Sequence, residues 1–168
     1  EQIQNGEITV SRKVYQTYKK VIRDLDTENV QMWYYSPARG NHIIEFFENY
    51  LRHSKGKMGG QRVILELWEK AMLATIFGFI DIEGNRKYQK AGLIVGKKNG
   101  KSLLASGVGL YMQCADGESG PEIYSAATKK DQAKIIWLES KRMVKKSPTL
   151  SKKVKALVAE LDSDFNDG

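Results

Sequence analysis

The sequence predicts an α/β fold: a parallel sheet with crossover helices, preceded by a mostly helical N-terminal segment. Three observations point there. Apolar residues recur at helical spacing through the first eighty positions. A strand-like run then enters a glycine-containing loop and leaves it with a helical period. A second strand-and-helix unit follows directly, and repeated strand–helix units make parallel sheets. With 168 residues, 41% of them apolar, the chain suits one globular domain with its own core.

The first expected helix carries Val14, Tyr18, Val21, Ile22 and Leu25, closed by Asp24, Asp26 and Thr27. The second carries Ile43, Ile44, Phe47, Tyr50 and Leu51 and ends in the loop HSKGKMGG. The third places Leu67, Trp68, Ala71, Met72 and Ile76 on its inward stripe and stops near Gly78. The aromatics of this half, Trp33 to Tyr35 included, read as core.

The character changes at Phe79. IDIEGN carries a turn, and KYQKAGLIVG reads as a strand entering the core at Leu93, Ile94 and Val95. In SLLASGVGLYMQCA, residues Leu104, Val108, Tyr111 and Ala115 share a helical face, with Gly107 and Gly109 small enough for close packing on a sheet. GPEIYSAAT reads as a short buried strand. Thr128, three before Asp131, suggests a capping-box start for a helix whose inward residues are Ala133, Ile136, Trp137, Ser140 and Val144. Ser147-Pro148 ends it.

Several classes are excluded or disfavoured. A single cysteine, Cys114, allows neither a disulfide framework nor a four-cysteine metal site. His42 and His53 have no partners at zinc-ligand spacing, and no nucleophile elbow accompanies them for a Ser-His-Asp hydrolase. No apolar run approaches the roughly 20 residues of a membrane span. EQIQNGEITV is not a signal peptide, and the expected setting is soluble and intracellular. Residues 129–155 hold ten Lys/Arg against two acids, a local balance of +8, while the whole chain is +7. Such clustering is a polyanion footprint or a well-solvated helix face.

GLIVGKKNGKS decides the function. Asn99-Gly100 between apolar runs is a strong hairpin signal, which demands period-2 alternation on both sides. The outgoing side has a period near 3.6, so strand–glycine loop–helix is favoured, the setting of a phosphate-binding loop. The fold class is then of the P-loop NTPase type. Backbone N–H groups from Lys98 to Ser102 would surround phosphates, Lys101 would reach the β/γ-phosphates, and Ser102 would hold Mg²⁺. The glycine expected five before Gly100 is Val95, with Gly96 one later.

Lys97-Lys98-Asn99-Gly100-Lys101-Ser102, with LELWEKAMLATIFGF upstream and EIYSAATKKDQAKIIW downstream, resembles the large terminase subunit of tailed bacteriophages. That family's ATPase drives DNA into a procapsid. The resemblance covers most of the chain past about residue 40. It implies ATP and Mg²⁺ at Gly96 to Ser102, with Lys101 and Lys97 as catalytic candidates. Lys97 stands where the family has arginine and lacks its bidentate fork. Trp68-Glu69 stands where the family has a Trp-Gln pair that helps hold adenine; glutamate accepts a hydrogen bond but donates none. Gln61 reads as an ordinary loop glutamine.

The same resemblance implies double-stranded DNA, a portal protein and a small terminase subunit as partners, a homo-oligomeric ring, and the bacterial host cytoplasm. Candidate contacts to DNA phosphates are Lys129, Lys130, Lys134, Lys141, Arg142, Lys145 and Lys146. The family's Asp-Glu strand is not found: LVAELD offers only Glu160 and Asp162, and Asn166-Asp167-Gly168 turns with no strand after it. The expectation is therefore an incomplete domain, with a helical segment over residues 1–60 and the first part of an ATPase domain over 61–168. Another P-loop motor and a nucleotide-binding assembly module without turnover are the alternatives.

Overall fold

The computed structural model describes residues 2–3, 5–26, 32–156 and 161–163, with side chains up to Lys155. Thr27, Glu160 and Asn166 to Gly168 lie outside them, as does the Asp162 side chain. The described elements are α1 (Arg12–Asp26), β1 (Tyr34–Tyr35), α2 (Pro37–Tyr50), α3 (Leu67–Gly78), β2 (Phe79–Ile80), α4 (Lys101–Cys114), α5 (Lys130–Lys146), α6 (Leu150–Lys153), β3 (Val154–Ala156) and β4 (Leu161–Ser163). None of the helices is long and apolar enough to cross a membrane.

The start of α2 follows from its sequence. Ser36 is the N-cap, its hydroxyl accepting from Arg39 N–H at 3.4 Å, and Pro37 supplies a preset φ at the first helical position. From there Ile43, Phe46, Phe47 and Leu51 enter the core. They meet Leu73 and Phe77 of α3, Leu104, Leu110 and Tyr111 of α4, and Met143 and Val144 of α5 in one cluster. Tyr111 is its aromatic centre, edge-on to Phe77 at 5.2 Å and Phe46 at 5.5 Å. Each such large apolar side chain contributes about 1.5–3 kcal/mol on burial. Polar ties set the helix register: Ser106 Oγ donates to Ile136 C=O at 3.0 Å, joining α4 to α5, and Ser54 Oγ donates to Glu139 at 2.5 Å.

Gly107 explains how close α4 comes. A Cβ there would lie 2.3 Å from the Phe47 ring, so only glycine admits α2 at that distance. The close neighbour is thus a helix where a sheet was expected.

Other expectations also shift. Both strand pairs are antiparallel: Tyr34 opposite Ile80 and Tyr35 opposite Phe79, then Val154 opposite Ser163. No parallel pair forms among the described residues. Leu93 to Val95 belong to no helix or strand, and Ile94 is 98% exposed. The segment around Ile123 and Tyr124 is likewise unpaired and exposed. An extended run needs neighbouring strands to satisfy its backbone and cover its side chains, and no described strand runs beside either.

The inward face of α3 is also rotated from expectation. Leu67 and Trp68 are exposed, while Glu69, Leu73 and Phe77 are buried. LWEKAMLATIFG is apolar almost all round, so its periodicity could not choose a face; packing on α2 chose it. Tyr34 is exposed rather than core, whereas Tyr35 packs on Phe79 at 5.3 Å. The N-cap of α5 is Lys129, one residue after the expected Thr128, which instead reaches the Gln132 side chain at 3.5 Å.

Candidate nucleotide-binding site

Residues 96–102 connect the extended segment to α4, and their conformation settles the hairpin question. Gly100, at φ 70° and ψ 5°, is the N-cap of a helix that runs to Cys114. Leu104 N–H donates to Gly100 C=O at 2.9 Å, so helical bonding begins at once. The left-handed N-cap is a conformation glycine adopts without a Cβ penalty. Lys98 also has positive φ, 68°, at a cost of about 1–2 kcal/mol for an L-residue.

The N–H groups of Lys101, Ser102 and Leu103 begin the helix and have no intrahelical acceptor. They point out of a positive dipole end, beside the exposed cations Lys97, Lys98 and Lys101. Lys101 is folded back, its Nζ donating to Val95 C=O at 3.1 Å. The bond closes the loop from the last residue of the extended run to the first of the helix. Ser102 is half-buried on the first turn.

The first turn of α3 approaches this loop. Glu69 is only 8% exposed. Its Oε2 accepts from Glu66 N–H at 2.8 Å, capping α3. Its Oε1 lies 3.4 Å from where a Cβ on Gly100 would sit. Burial pushes its carboxyl up from the ordinary glutamate range, opposed by the Glu66 N–H bond. Trp68, one residue earlier, is 38% exposed. This donor set fits a magnesium–nucleotide complex: backbone N–H groups and a lysine for phosphates, and a hydroxyl for the cation. Lys101 and Lys97 would hold the phosphates, Ser102 the Mg²⁺, and Trp68 offers an aromatic face for a base.

The basic residues sit apart from this loop in sequence, along α5. Lys130, Lys134, Lys141 and Lys145 follow one stripe by helical spacing, with Lys141 lying over the Trp137 ring at 4.8 Å. Arg142 and Lys146 form a second stripe, on the side of the loop containing Ser54. Lys146 Nζ lies 3.1 Å from the Cβ position of Gly59 there. Lys129 stands at the N-cap.

Comparison with known proteins decides the family. The family model described as terminase large subunit, ATPase domain, matches residues 67–163, more than half of the chain. The chain belongs to that family. It is 26% identical over 114 residues to the terminase large subunit of Enterobacteria phage HK97, covering 67% of this chain and 22% of that protein. The crystal structure of the HK97 bacteriophage large terminase matches with a TM-score of 0.60 at 23% identity, over 76% of this chain and 26% of that one. The α/β fold is therefore like that of the HK97 protein, and this chain spans about a quarter of its relatives' length.

Within this terminase chain, the matched stretch contains Trp68, Glu69, the loop and the basic helix. The fold brings Glu69 to Gly100 and Lys101 to Val95. Sequence reasoning missed the Val95 carbonyl as the lysine's partner, since a backbone acceptor carries no residue signature. Glu69 also caps α3, and the signal for that role was Glu66 three residues before it. His42 is a packing residue, bonded to Tyr111 Oη at 3.1 Å. Gln61 is local to its loop, donating to Lys57 C=O at 3.5 Å.

Proposed function

We propose that this chain binds ATP with Mg²⁺ at residues 96–102, as part of a terminase large subunit whose ATPase translocates double-stranded DNA into a procapsid. The observation that carries the reading is the loop geometry inside the matched stretch: a left-handed Gly100, then Lys101 and Ser102 opening α4. On binding, Lys101 exchanges the Val95 carbonyl for phosphate oxygens. An ammonium on a flexible stem suits that move. The helix N–H groups and Lys97 add positive field where charge grows on the transferred phosphoryl group. Ser102 would hold Mg²⁺, which would supply charge neutralisation.

The wider reading follows from the family. Segments 92–96 and 121–127 become strands of a parallel sheet when their neighbours are present. The α5 stripes contact DNA phosphates or the portal, and the intact protein works in the host cytoplasm as a ring with its small subunit. The test is calorimetric titration of the 168-residue chain with ATP and Mg²⁺ beside Lys101→Ala. Saturable binding that the substitution lowers at least tenfold is expected. Equal binding by both proteins would remove the phosphate loop from the reading.

A further inference from the structure

Glu69 is unusual for its place. A carboxylate only 8% exposed lies between the starts of two helices, on the third position of α3 and against the N-cap of α4. Each helix start presents unsatisfied N–H groups and a partial positive charge of about half a unit. Its Oε2 satisfies one of them, Glu66 N–H, at 2.8 Å. Its Oε1 faces Gly100, the residue that sets the left-handed entry to α4. The molecule thus carries its own anion beside the end of α4 that a phosphate would approach.

One consequence follows from Coulomb's law. A negative charge there opposes any further anion, and the opposition grows with the charge on that anion. We infer that Glu69 is a positioning residue that lowers the affinity of the phosphate loop for nucleotide in proportion to phosphate charge. The inference rests on the phosphate-loop reading above and extends it to what sets affinity. A motor turns over only if its products leave, and a fixed carboxylate beside the loop speeds that release.

Glutamine is the informative replacement. It keeps the size and an oxygen that can accept from Glu66 N–H, removes the charge, and replaces the other oxygen with an NH2 donor. Glu69→Gln is expected to bind ATP with Mg²⁺ on the order of tenfold more tightly, ADP by a smaller factor, and adenosine unchanged. Glu69→Ala, which also loses the cap, should unfold at a lower temperature than Glu69→Gln.

Titrations of the three ligands into wild type, Glu69→Gln and Lys101→Ala separate the possibilities. A gain equal for ATP, ADP and adenosine would mean that Glu69 acts on the base or the fold, and would overturn the proposal. So would unchanged or weaker ATP binding by Glu69→Gln while Lys101→Ala abolishes binding in the wild-type background; the phosphate loop would then stand alone. If Lys101→Ala binds ATP as well as wild type, or if neither wild type nor Glu69→Gln binds it, the loop reading falls and this inference with it.

Discussion

The four-helix interior and the two irregular segments that flank α4 are built from similarly apolar sequence, yet they end in opposite environments. Phe47, Leu73, Leu104 and Met143 are buried almost completely, whereas Ile94 and Tyr124 stand in solvent. The difference lies in how each backbone is satisfied. A helix closes its hydrogen bonds within itself and then needs only one face covered. An extended segment depends on other strands for both, so its burial is decided by what lies beside it. The loop that follows Ile94 inherits that property: its near side is an exposed run, and its far side is anchored in the core by α4.

The comparison is broken most severely in the interior. Phe47→Ala should cost about 3–5 kcal/mol, because the ring fills the space left by Gly107 and touches α4 directly. Ile94→Ser, at 98% exposure, should change stability by less than about 0.5 kcal/mol. Urea denaturation of both variants checks this; a drop near 2 kcal/mol for Ile94→Ser would show that the segment is covered after all.

Helix α5 sharpens the comparison because it belongs to both worlds. Its inner face holds Met143 and Val144, while Lys130, Lys134 and Lys145 are exposed on the outer one. Changing those three lysines to glutamate should leave the fold and ATP affinity intact and weaken binding of double-stranded DNA. The slope of log affinity against log salt should fall by about 0.9 for each DNA phosphate that the protein no longer neutralises. Filter binding over a salt series measures it. Unchanged affinity and slope would assign that stripe to solvation, and the Arg142–Lys146 stripe would become the surface to test.

What the sequence disclosed follows the same division. The helices around Phe47, Tyr111 and Val144 were legible because self-contained periodicity is a local property. The helical exit from Gly100 was legible for the same reason, and it outweighed the Asn-Gly hairpin signal. The strands were not, since pairing depends on residues elsewhere. Nor was the buried face of α3, because an all-round apolar helix gives periodicity nothing to select. At the site, Lys101 and Ser102 could be named from spacing, but the Lys101 bond to the Val95 carbonyl and the approach of Glu69 to Gly100 arise only from the packing of α3 beside α4.

The smallest expected effect compares two glutamates at the same helix junction. Glu48, on α2, accepts from Lys70 Nζ at 2.8 Å and from Leu65 N–H at 3.2 Å. The Lys70 hydrogen bond holds its carboxyl below the ordinary range, against the opposing pull of burial. A folded-state value below the unfolded one gives stability that is present at neutral pH and is lost as pH falls through the folded value. Glu69 has the opposite sign, because burial raises it. Its ionised form costs stability at neutral pH, and that cost disappears as pH falls through its raised folded value toward the unfolded one. Glu48→Gln should therefore be less stable than wild type at pH 7, by about 0.2–1 kcal/mol for a partly exposed pair, with the deficit shrinking toward pH 3. Glu69→Gln should be slightly more stable than wild type at pH 7, with that gain shrinking at higher pH than the Glu48 deficit, between the raised folded value and the ordinary glutamate value. Urea midpoints at several pH values check both, and changes of the same sign in the two variants would contradict the opposed environments of the two carboxylates.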